Sequence, residues 1–147
     1  MRKGQISLDF LFAVTLVMIT MLNVVYIATS EKGNAETFDV TARLKVFSVD
    51  IRDTVAKVYA SGDGFSVRKT SPFPLKSGEG IVIRLNADDD TITVIGIIGG
   101  NTYTVVQKSP VPIYTDSSVQ LNQDTDEVWI VAREEGGVTY VEIQTSP

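Results

Sequence analysis

Carboxylates and lysines are the reactive side chains of this sequence, because its 147 residues include no cysteine and no histidine. That composition removes thiol nucleophiles, histidine-based proton relays and nearly all zinc and haem ligand sets. The net charge is -5 and the pI is about 4.6, so no basic surface is available to neutralise phosphates. We therefore expect no cofactor and no nucleic-acid partner.

The acidic clusters allow two kinds of carboxylate chemistry. Asp88, Asp89 and Asp90 could bind calcium, but the run lacks the alternating ligands and the glycine of an EF-hand loop, which favours a solvated hairpin turn. Paired carboxylates could also hydrolyse glycosides if the fold brought them to the required separation. The candidates are Asp124, Asp126, Glu127, Glu134 and Glu135. Acidic loop residues commonly keep a small surface domain soluble, so we predict no catalytic residue, no metal site and no enzymatic activity.

Trp129 and Tyr140 are the aromatic candidates for a sugar-binding or adhesive surface. Both stand in dense apolar runs, and this setting favours packing in a core over display on the surface. Gly96 stands among β-branched residues, where a glycine indicates a bulge or a close contact rather than a ligand loop.

Asp9 is the carboxylate with the strongest functional signal, because it directly precedes residues 10–30, which carry no charge. As a helix that stretch would be about 31 Å long, the thickness of a bilayer core. A carboxylate at mid-membrane costs about 2.5–3.5 kcal/mol and is rare without a purpose. Two roles are open: pairing with a partner group, or capping of the first helical turn together with Ser7, close to the headgroups.

The charges on either side of the apolar segment predict its orientation. Arg2 and Lys3 precede it and the next cation is Lys32, so we expect the N-terminus in the cytoplasm and the rest of the chain outside. A secretory signal peptide fits poorly, because its apolar core is usually about 7–15 residues and ends in a small-x-small cleavage site. An uncleaved signal anchor remains an alternative on hydropathy alone.

The first residues carry a more specific pattern: Arg2 and Lys3, then Gly4 and Gln5, then the acid Asp9 five residues after the glycine. This pattern resembles the class III signal peptide of archaeal type IV pilins. The resemblance implies that a prepilin peptidase cuts between Gly4 and Gln5 on the cytoplasmic side and that the apolar helix stays with the mature protein. Glycine also leaves room for a protease to approach the backbone. In the family, the acid matching Asp9 pairs with the freed N-terminal amine of a neighbouring subunit, which here belongs to Gln5.

Archaellins share this kind of leader but typically continue with a glycine-containing run, so the sequence from Gln5 to Asp9 favours the pilin branch. The resemblance covers about the first thirty residues, as a motif in a fitting context. It implies an extended N-terminal helix whose first half packs with other subunits and whose second half supports a β head.

Periodicity in the rest of the chain predicts a helix and then strands. The apolar residues at helical spacing, which should form one buried stripe, are Val40, Leu44, Phe47, Ile51, Val55 and Val58. A helix of roughly 50 residues, about 75 Å if continuous, should end at residues 61–64, with Gly33 and Asn34 as a place for a bend. The predicted strands are 65–69, 81–85, 91–98, 102–108, 113–121, 128–133 and 138–144. The predicted tight reversals between antiparallel strands are 86–90, 99–101, 122–126 and 134–137.

The sequence thus predicts an α+β fold, a long N-terminal hydrophobic and amphipathic helix followed by an antiparallel β-sheet head that could close into a small sandwich or barrel. The expected segments are a cleaved leader (1–4), a transmembrane and assembly helix (5–30), its amphipathic continuation (31–61) and an extracellular β domain (62–147).

The expected function is that of a structural subunit of an archaeal type IV pilus-like filament that serves adhesion. Its precursor would lie in the archaeal cell membrane and its mature form on the cell surface, with prepilin peptidase and copies of itself or other pilins as partners. A minor pilin-like or monomeric membrane-anchored binding protein is the alternative, followed by a membrane-tethered enzyme that uses carboxylates.

Overall fold

The computed structural model describes residues 3–146, which form one helix and seven strands. The helix, α1, spans Lys3–Ser61. The strands are β1 (Ser66–Thr70), β2 (Gly80–Asn86), β3 (Thr91–Ile98), β4 (Asn101–Lys108), β5 (Ser117–Leu121), β6 (Glu127–Glu135) and β7 (Val138–Gln144). The chain divides into two compact units, the first ending at Asp39 and the second beginning at Val40, so α1 contributes residues to both. The predicted α+β architecture is confirmed.

The sequence of α1 explains its length and its end. The helix contains no proline, and Gly33 lies inside it. It ends before Gly62, whose φ of 82° is left-handed and whose N–H donates to the Val58 carbonyl at 3.3 Å. A glycine in this position pairs a terminal carbonyl that the helix itself leaves free, so the predicted end of the helix is confirmed.

The described strands form two antiparallel sheets, a three-stranded one with the order β1-β6-β7 and a four-stranded one with the order β4-β3-β2-β5. Tight turns join β2 to β3, β3 to β4 and β6 to β7, as the turn residues predict. The sheets meet where the N–H of Ile143 in β7 donates to Ser117 Oγ in β5 at 3.1 Å.

One apolar core within the second unit joins residues 40–61 of α1 to both sheets. The predicted stripe is confirmed, because Leu44, Phe47, Ile51, Val55 and Val58 are buried and Val40 packs against them. The inward residues of the sheets include Ile83, Leu85, Ile92, Val94, Val128, Ile130 and Val141. Alternation along each strand turns these side chains toward the helix.

Gly96 in β3 lies directly against α1, and of the glycines compared it has the least room for a side chain. A Cβ at this position would lie 2.6 Å from Leu44 Cδ1, closer than packed atoms allow. The predicted close contact at Gly96 is therefore confirmed, and the missing side chain makes room for Leu44.

Two predictions about connections are wrong. Strand β5 begins at Ser117 instead of residue 113, because the N–H of Ile113 donates to the Asp90 carboxylate at 2.9 Å and not to a neighbouring strand. Residues 122–126 do not close a hairpin, since β5 belongs to the four-stranded sheet and β6 to the three-stranded one. Local turn residues reverse the chain there without pairing the strands on either side.

The prediction that Trp129 and Tyr140 are core residues is also wrong, because both are half-buried. Strand alternation turns their neighbours Val128 and Val141 into the core and leaves these two aromatic rings on the other face. Tyr140 packs edge-on against Tyr114, with 5.7 Å between ring centroids.

Candidate functional site

The part of α1 in the first unit is an exposed apolar surface. Its large side chains from Leu8 to Ile27 are exposed, among them Phe10 at 71% and Tyr26 at 74%. Within residues 3–146, α1 is the one helix long and apolar enough to cross a membrane. Such an extended apolar surface is compatible with membrane anchoring and with packing against other chains.

Polar side chains inside this apolar segment bond to their own helix. The hydroxyls of Thr15 and Thr20 donate to the carbonyl four residues earlier at 2.8 Å, and that of Thr29 does so at 3.0 Å. Asn23 Nδ2 donates to the Ile19 carbonyl at 2.8 Å. Such bonds lower the cost of a polar group in an apolar medium. A hydrogen bond of this kind cannot neutralise a charged side chain. Asp9 is the charged residue between residues 8 and 30, so its cost in an apolar medium is not lowered in this way.

Asp9 is exposed and lies in the second turn of α1, which begins at Lys3. The first turn of this uncleaved helix contains no acid, so Asp9 does not cap it, while capping in a chain that begins at Gln5 stays a prediction. The helix dipole also acts mainly within the first turn. A partner outside its own helix therefore stays as the hypothesis for this carboxylate.

The predicted leader residues lie at the start of α1 or before it. Lys3, Gly4 and Gln5 belong to the first turn of the helix, and Arg2 lies outside the described residues. Cleavage at the bond between Gly4 and Gln5 and the assembly role of Gln5 stay predictions.

The acidic run from Asp88 to Asp90 is a hairpin turn between β2 and β3, as predicted. Asp90 has a φ of 49°, a left-handed conformation that aspartate tolerates better than most residues. Its Oδ1 accepts the N–H of Ile113 at 2.9 Å, and the Lys108 ammonium donates to the Asp89 carbonyl. Across residues 3–146, no group of three or more acidic side chains is arranged to hold a metal ion.

Among the other acidic candidates, Glu127 makes a contact through its carboxylate, whereas the contacts of Asp124 and Asp126 are made by their backbones. Glu127 forms an ion pair with Arg68 of the neighbouring strand at 2.9 Å. The Asp126 carbonyl accepts the N–H of Ser71 at 2.8 Å. Asp124 lies in a loop turn, where Asn122 Oδ1 accepts its N–H at 2.9 Å. Glu134 and Glu135 are exposed at the end of β6. Each contact stabilises a strand or a loop.

Glu79 is a structural carboxylate that the sequence does not single out. Its Oε1 accepts the N–H of Gly99 at 3.0 Å, and its Oε2 accepts the N–H of Lys76 at 3.0 Å. These two bonds, the one from Gly99 first, stabilise the charged form and lower the pKa of Glu79 below its usual value. The turn residues before Glu79 indicate the Lys76 bond, whereas Gly99 lies 20 residues further along the chain and no local signal points to it.

The second unit also has an open, mainly apolar groove of about 490 Å³ along α1. Its lining includes Ala42, Val46, Phe47 and Pro72. Asp50 lines the groove as well and accepts a 2.8 Å hydrogen bond from Lys69 Nζ. The groove presents no set of reactive groups that resembles a catalytic site.

Comparison of the chain with protein-family models, with curated proteins and with solved structures finds no match in any of the three. Functional inference therefore depends on the residues and contacts described above.

Proposed function

We propose that this chain is a structural subunit of an archaeal type IV pilus-like surface filament, made as a precursor that a prepilin peptidase processes between Gly4 and Gln5. The precursor would lie in the cell membrane with Arg2 and Lys3 in the cytoplasm and the β domain outside. The proposal includes adhesion as the filament's role and no enzymatic activity.

The observation that carries the proposal is Asp9 on the exposed apolar part of α1. Its carboxylate lies past the first turn of the helix that begins at Lys3, on a surface of exposed apolar side chains. Removal of residues 1–4 would create a new amine at Gln5, four residues before Asp9 in sequence. In an apolar bundle of helices, that amine on a neighbouring copy is an oppositely charged partner for the carboxylate.

The surface of the apolar segment supports packing against several neighbours. Exposed apolar side chains occur at nearly every position from Leu8 to Ile27, which covers all faces of a helix. A helix that is apolar all round is buried, either in lipid or among other helices. Before assembly the surroundings would be lipid, and in a filament they would be copies of the same helix.

The mature N-terminus tests the processing step. We would express the full chain in an archaeal host with its prepilin peptidase and determine the terminus by mass spectrometry. The expected terminus is Gln5 or its pyroglutamate form. Gly4→Leu should block cleavage by placing a bulky residue at the cut, whereas Ser7→Ala should be processed normally.

An intact terminus at Met1 or Arg2 on wild-type surface protein would contradict the processing step and leave an uncleaved signal anchor. Electron microscopy of surface filaments, with subunit identification by mass spectrometry, then tests assembly. Correctly processed protein that stays as single membrane-bound copies would indicate the minor or monomeric anchored protein instead of a filament subunit.

A further inference from the structure

Asn23 is an exposed amide in the middle of the apolar segment. A primary amide offers two N–H donors and a carbonyl acceptor. The bond from Nδ2 to the Ile19 carbonyl, 2.8 Å long, uses one donor. Among the described side chains and backbone groups, Oδ1 receives no hydrogen bond. Asn23 thus differs from Thr15 and Thr20, whose single hydroxyl proton is already donated.

Asn23 lies on a regular stripe of α1. Seven residues make almost two full helical turns, so residues seven apart lie on nearly the same face. The stripe, with residues alternating at spacings of three and four, is Leu16, Ile19, Asn23, Tyr26 and Ser30. This is the spacing of the seam between two helices that pack at a shallow angle. Asp9 continues the same spacing toward the cytoplasmic end, where headgroups and water solvate a carboxylate.

A second copy of the chain is the partner that fits this stripe. All copies insert with the same orientation, because the same flanking charges direct each of them. Their Asn23 side chains therefore lie at the same depth in the membrane. Two primary amides are complementary to each other, since each offers a donor to the other's carbonyl oxygen. A different membrane protein would need a polar group at that particular depth.

We infer that two copies pair in the membrane as a parallel dimer, with the Asn23 amides hydrogen-bonded to each other at the centre of this stripe. The inference uses the membrane placement given under the proposed function, but it does not need filament assembly. The dimer would form before assembly, when the apolar helix is surrounded by lipid. Amides in apolar helices associate for this reason, because lipid offers them no hydrogen bond.

The first test measures dimerisation of the full chain in lipid vesicles by energy transfer between two labelled populations. Asn23→Leu should weaken dimerisation about five- to thirtyfold, the range found for amides in model transmembrane helices. Asn23→Gln keeps an amide and should retain most of the association. Thr15→Val is the matched control: it removes a polar group that is satisfied inside the helix and that flanks the stripe beside Ile19, so dimerisation should change far less than in Asn23→Leu.

The second test maps the contact face by cysteine cross-linking. The chain has no natural cysteine, so each introduced cysteine can form a disulfide with its copy alone. Under mild oxidation, Ile19→Cys should give a disulfide-linked dimer, because in-register copies place the two sulfurs within bonding distance. Val25→Cys lies on the opposite face of the helix and should not cross-link. Combining Ile19→Cys with Asn23→Leu should reduce the cross-linked fraction.

Three results would overturn the inference. Asn23→Leu could dimerise as well as wild type, Thr15→Val could lose association to the same extent, or Val25→Cys could cross-link as readily as Ile19→Cys. Carbonate washing of the vesicles separates this failure from that of the membrane placement. A wild-type chain that is washed off would contradict both, whereas a retained monomer would contradict the dimer and leave filament assembly to its own tests.

Discussion

At the residue scale, Asp9 matters because of what surrounds it. Its neighbours along the apolar segment are exposed hydrophobic side chains, and the polar groups nearby bond to their own helix. A carboxylate has no proton to donate to a backbone carbonyl when it is charged, so it cannot satisfy itself in the same way. Where water is excluded, the charged carboxylate is therefore costly unless a hydrogen-bond donor or a cation from another chain pairs with it.

Asp9→Ala should leave membrane insertion and cleavage intact and should impair filament formation. Insertion cannot suffer, because the substitution removes a charge from an apolar segment. If Asp9 pairs with a neighbour's Gln5 amine, its loss strands that amine at a cost of about 3–5 kcal/mol per subunit. Filament counts by electron microscopy, together with immunoblots of the processed protein, measure both steps.

Two further variants separate charge from shape. Asp9→Glu keeps the charge and should assemble better than Asp9→Ala, while Asp9→Asn keeps the shape and should fail in the same manner as Asp9→Ala. Filaments of normal abundance from both Asp9→Ala and Asp9→Asn would show that assembly does not depend on a charge pair at Asp9, and would remove the observation that carries the proposed function.

Gly96 is the residue where the core of the second unit has the least room. Gly96→Ala would place a methyl group 2.6 Å from Leu44 Cδ1, and Leu44 is fully buried. Because buried side chains around Leu44 limit its movement, we expect a loss of about 1–3 kcal/mol in the free energy of unfolding. Urea denaturation followed by circular dichroism measures this loss.

The double variant Leu44→Ala, Gly96→Ala is the control for that contact. Leu44→Ala alone should cost about 2–5 kcal/mol through the cavity it leaves. Adding the Gly96 methyl group then partly fills this cavity, so the effects of the two substitutions should not add. Additive losses would mean that the close contact does not determine the cost at Gly96.

At the scale of elements, the periodicity of apolar residues predicts the helix stripe and most strand positions, because both depend on nearby residues. The buried stripe of α1 is correct because every member faces the same side of one helix. Most strand positions are correct because turn residues bound them. Pairing across residues 122–126 could not be predicted, since it depends on which sheet each strand joins. The prediction for Trp129 and Tyr140 is wrong because an apolar strand offers two faces, and the sequence does not show which of them packs against the helix.

The residues of the candidate site also fall into those that local sequence signals reveal and those that they do not. The leader and Asp9 can be found from sequence, because charge, glycine and apolar length are local signals. The partner of Asp9 cannot, since it would belong to another copy. The sequence shows that Asn23 is a polar residue in an apolar segment. The structure adds that its Nδ2 donates to the Ile19 carbonyl, which identifies the amide atoms that are left for a partner.

The β2–β3 turn gives a prediction at Asp90 with a matched control two residues earlier, at Asp88. Asp90→Ala removes the acceptor of the Ile113 N–H and puts an alanine at a positive φ, so the second unit should lose about 1–3 kcal/mol. Asp88→Ala, at an exposed position of the same turn, should change stability by less than about 0.5 kcal/mol. Thermal unfolding of both variants decides it.

Calcium gives an independent check on the same turn. If the aspartates serve only as turn residues, added calcium or a chelator should leave the midpoint of unfolding unchanged, because no ligand binds the native state. A calcium-dependent rise that is lost in Asp88→Ala would contradict the interpretation as a plain turn.

Glu79 bonds to the loop before β2 and to the turn between β3 and β4, and the stability that these hydrogen bonds add should depend on pH. Its folded-state pKa is lowered, chiefly by the hydrogen bond from Gly99 and then by that from Lys76. The stabilisation is therefore present above the unfolded-state pKa of about 4.5 and is lost as the pH falls through the lower folded-state value. The difference in unfolding free energy between wild type and Glu79→Gln should be largest near neutral pH and should shrink on acidification. A difference that stays constant from neutral to strongly acidic pH would contradict this assignment.

At the scale of the whole molecule, the two units have different physical requirements. The core residues of the second unit, from Val40 onward, bury one another without any contribution from the apolar segment. The described side chains of the first unit from Leu8 to Ile27 are exposed and need lipid or other chains. The folding of the β domain and the assembly of the protein are thus expected to reside in separate stretches of sequence.

A fragment that begins at Ala35 tests this separation. It retains Val40 and the whole core, so it should fold with predominantly β structure plus the remaining turns of α1. It lacks the exposed apolar side chains up to Ile27, so it should be soluble and monomeric. Circular dichroism should report mixed structure dominated by strands, and sedimentation should report one copy. The matched control is the chain from Gln5 in detergent, which carries the same β domain together with the apolar helix. If the fragment formed filaments without the helix, assembly could not depend on residues 5–30. Asp9 and Asn23 would then lie outside the contacts that join subunits, whatever their role in the membrane.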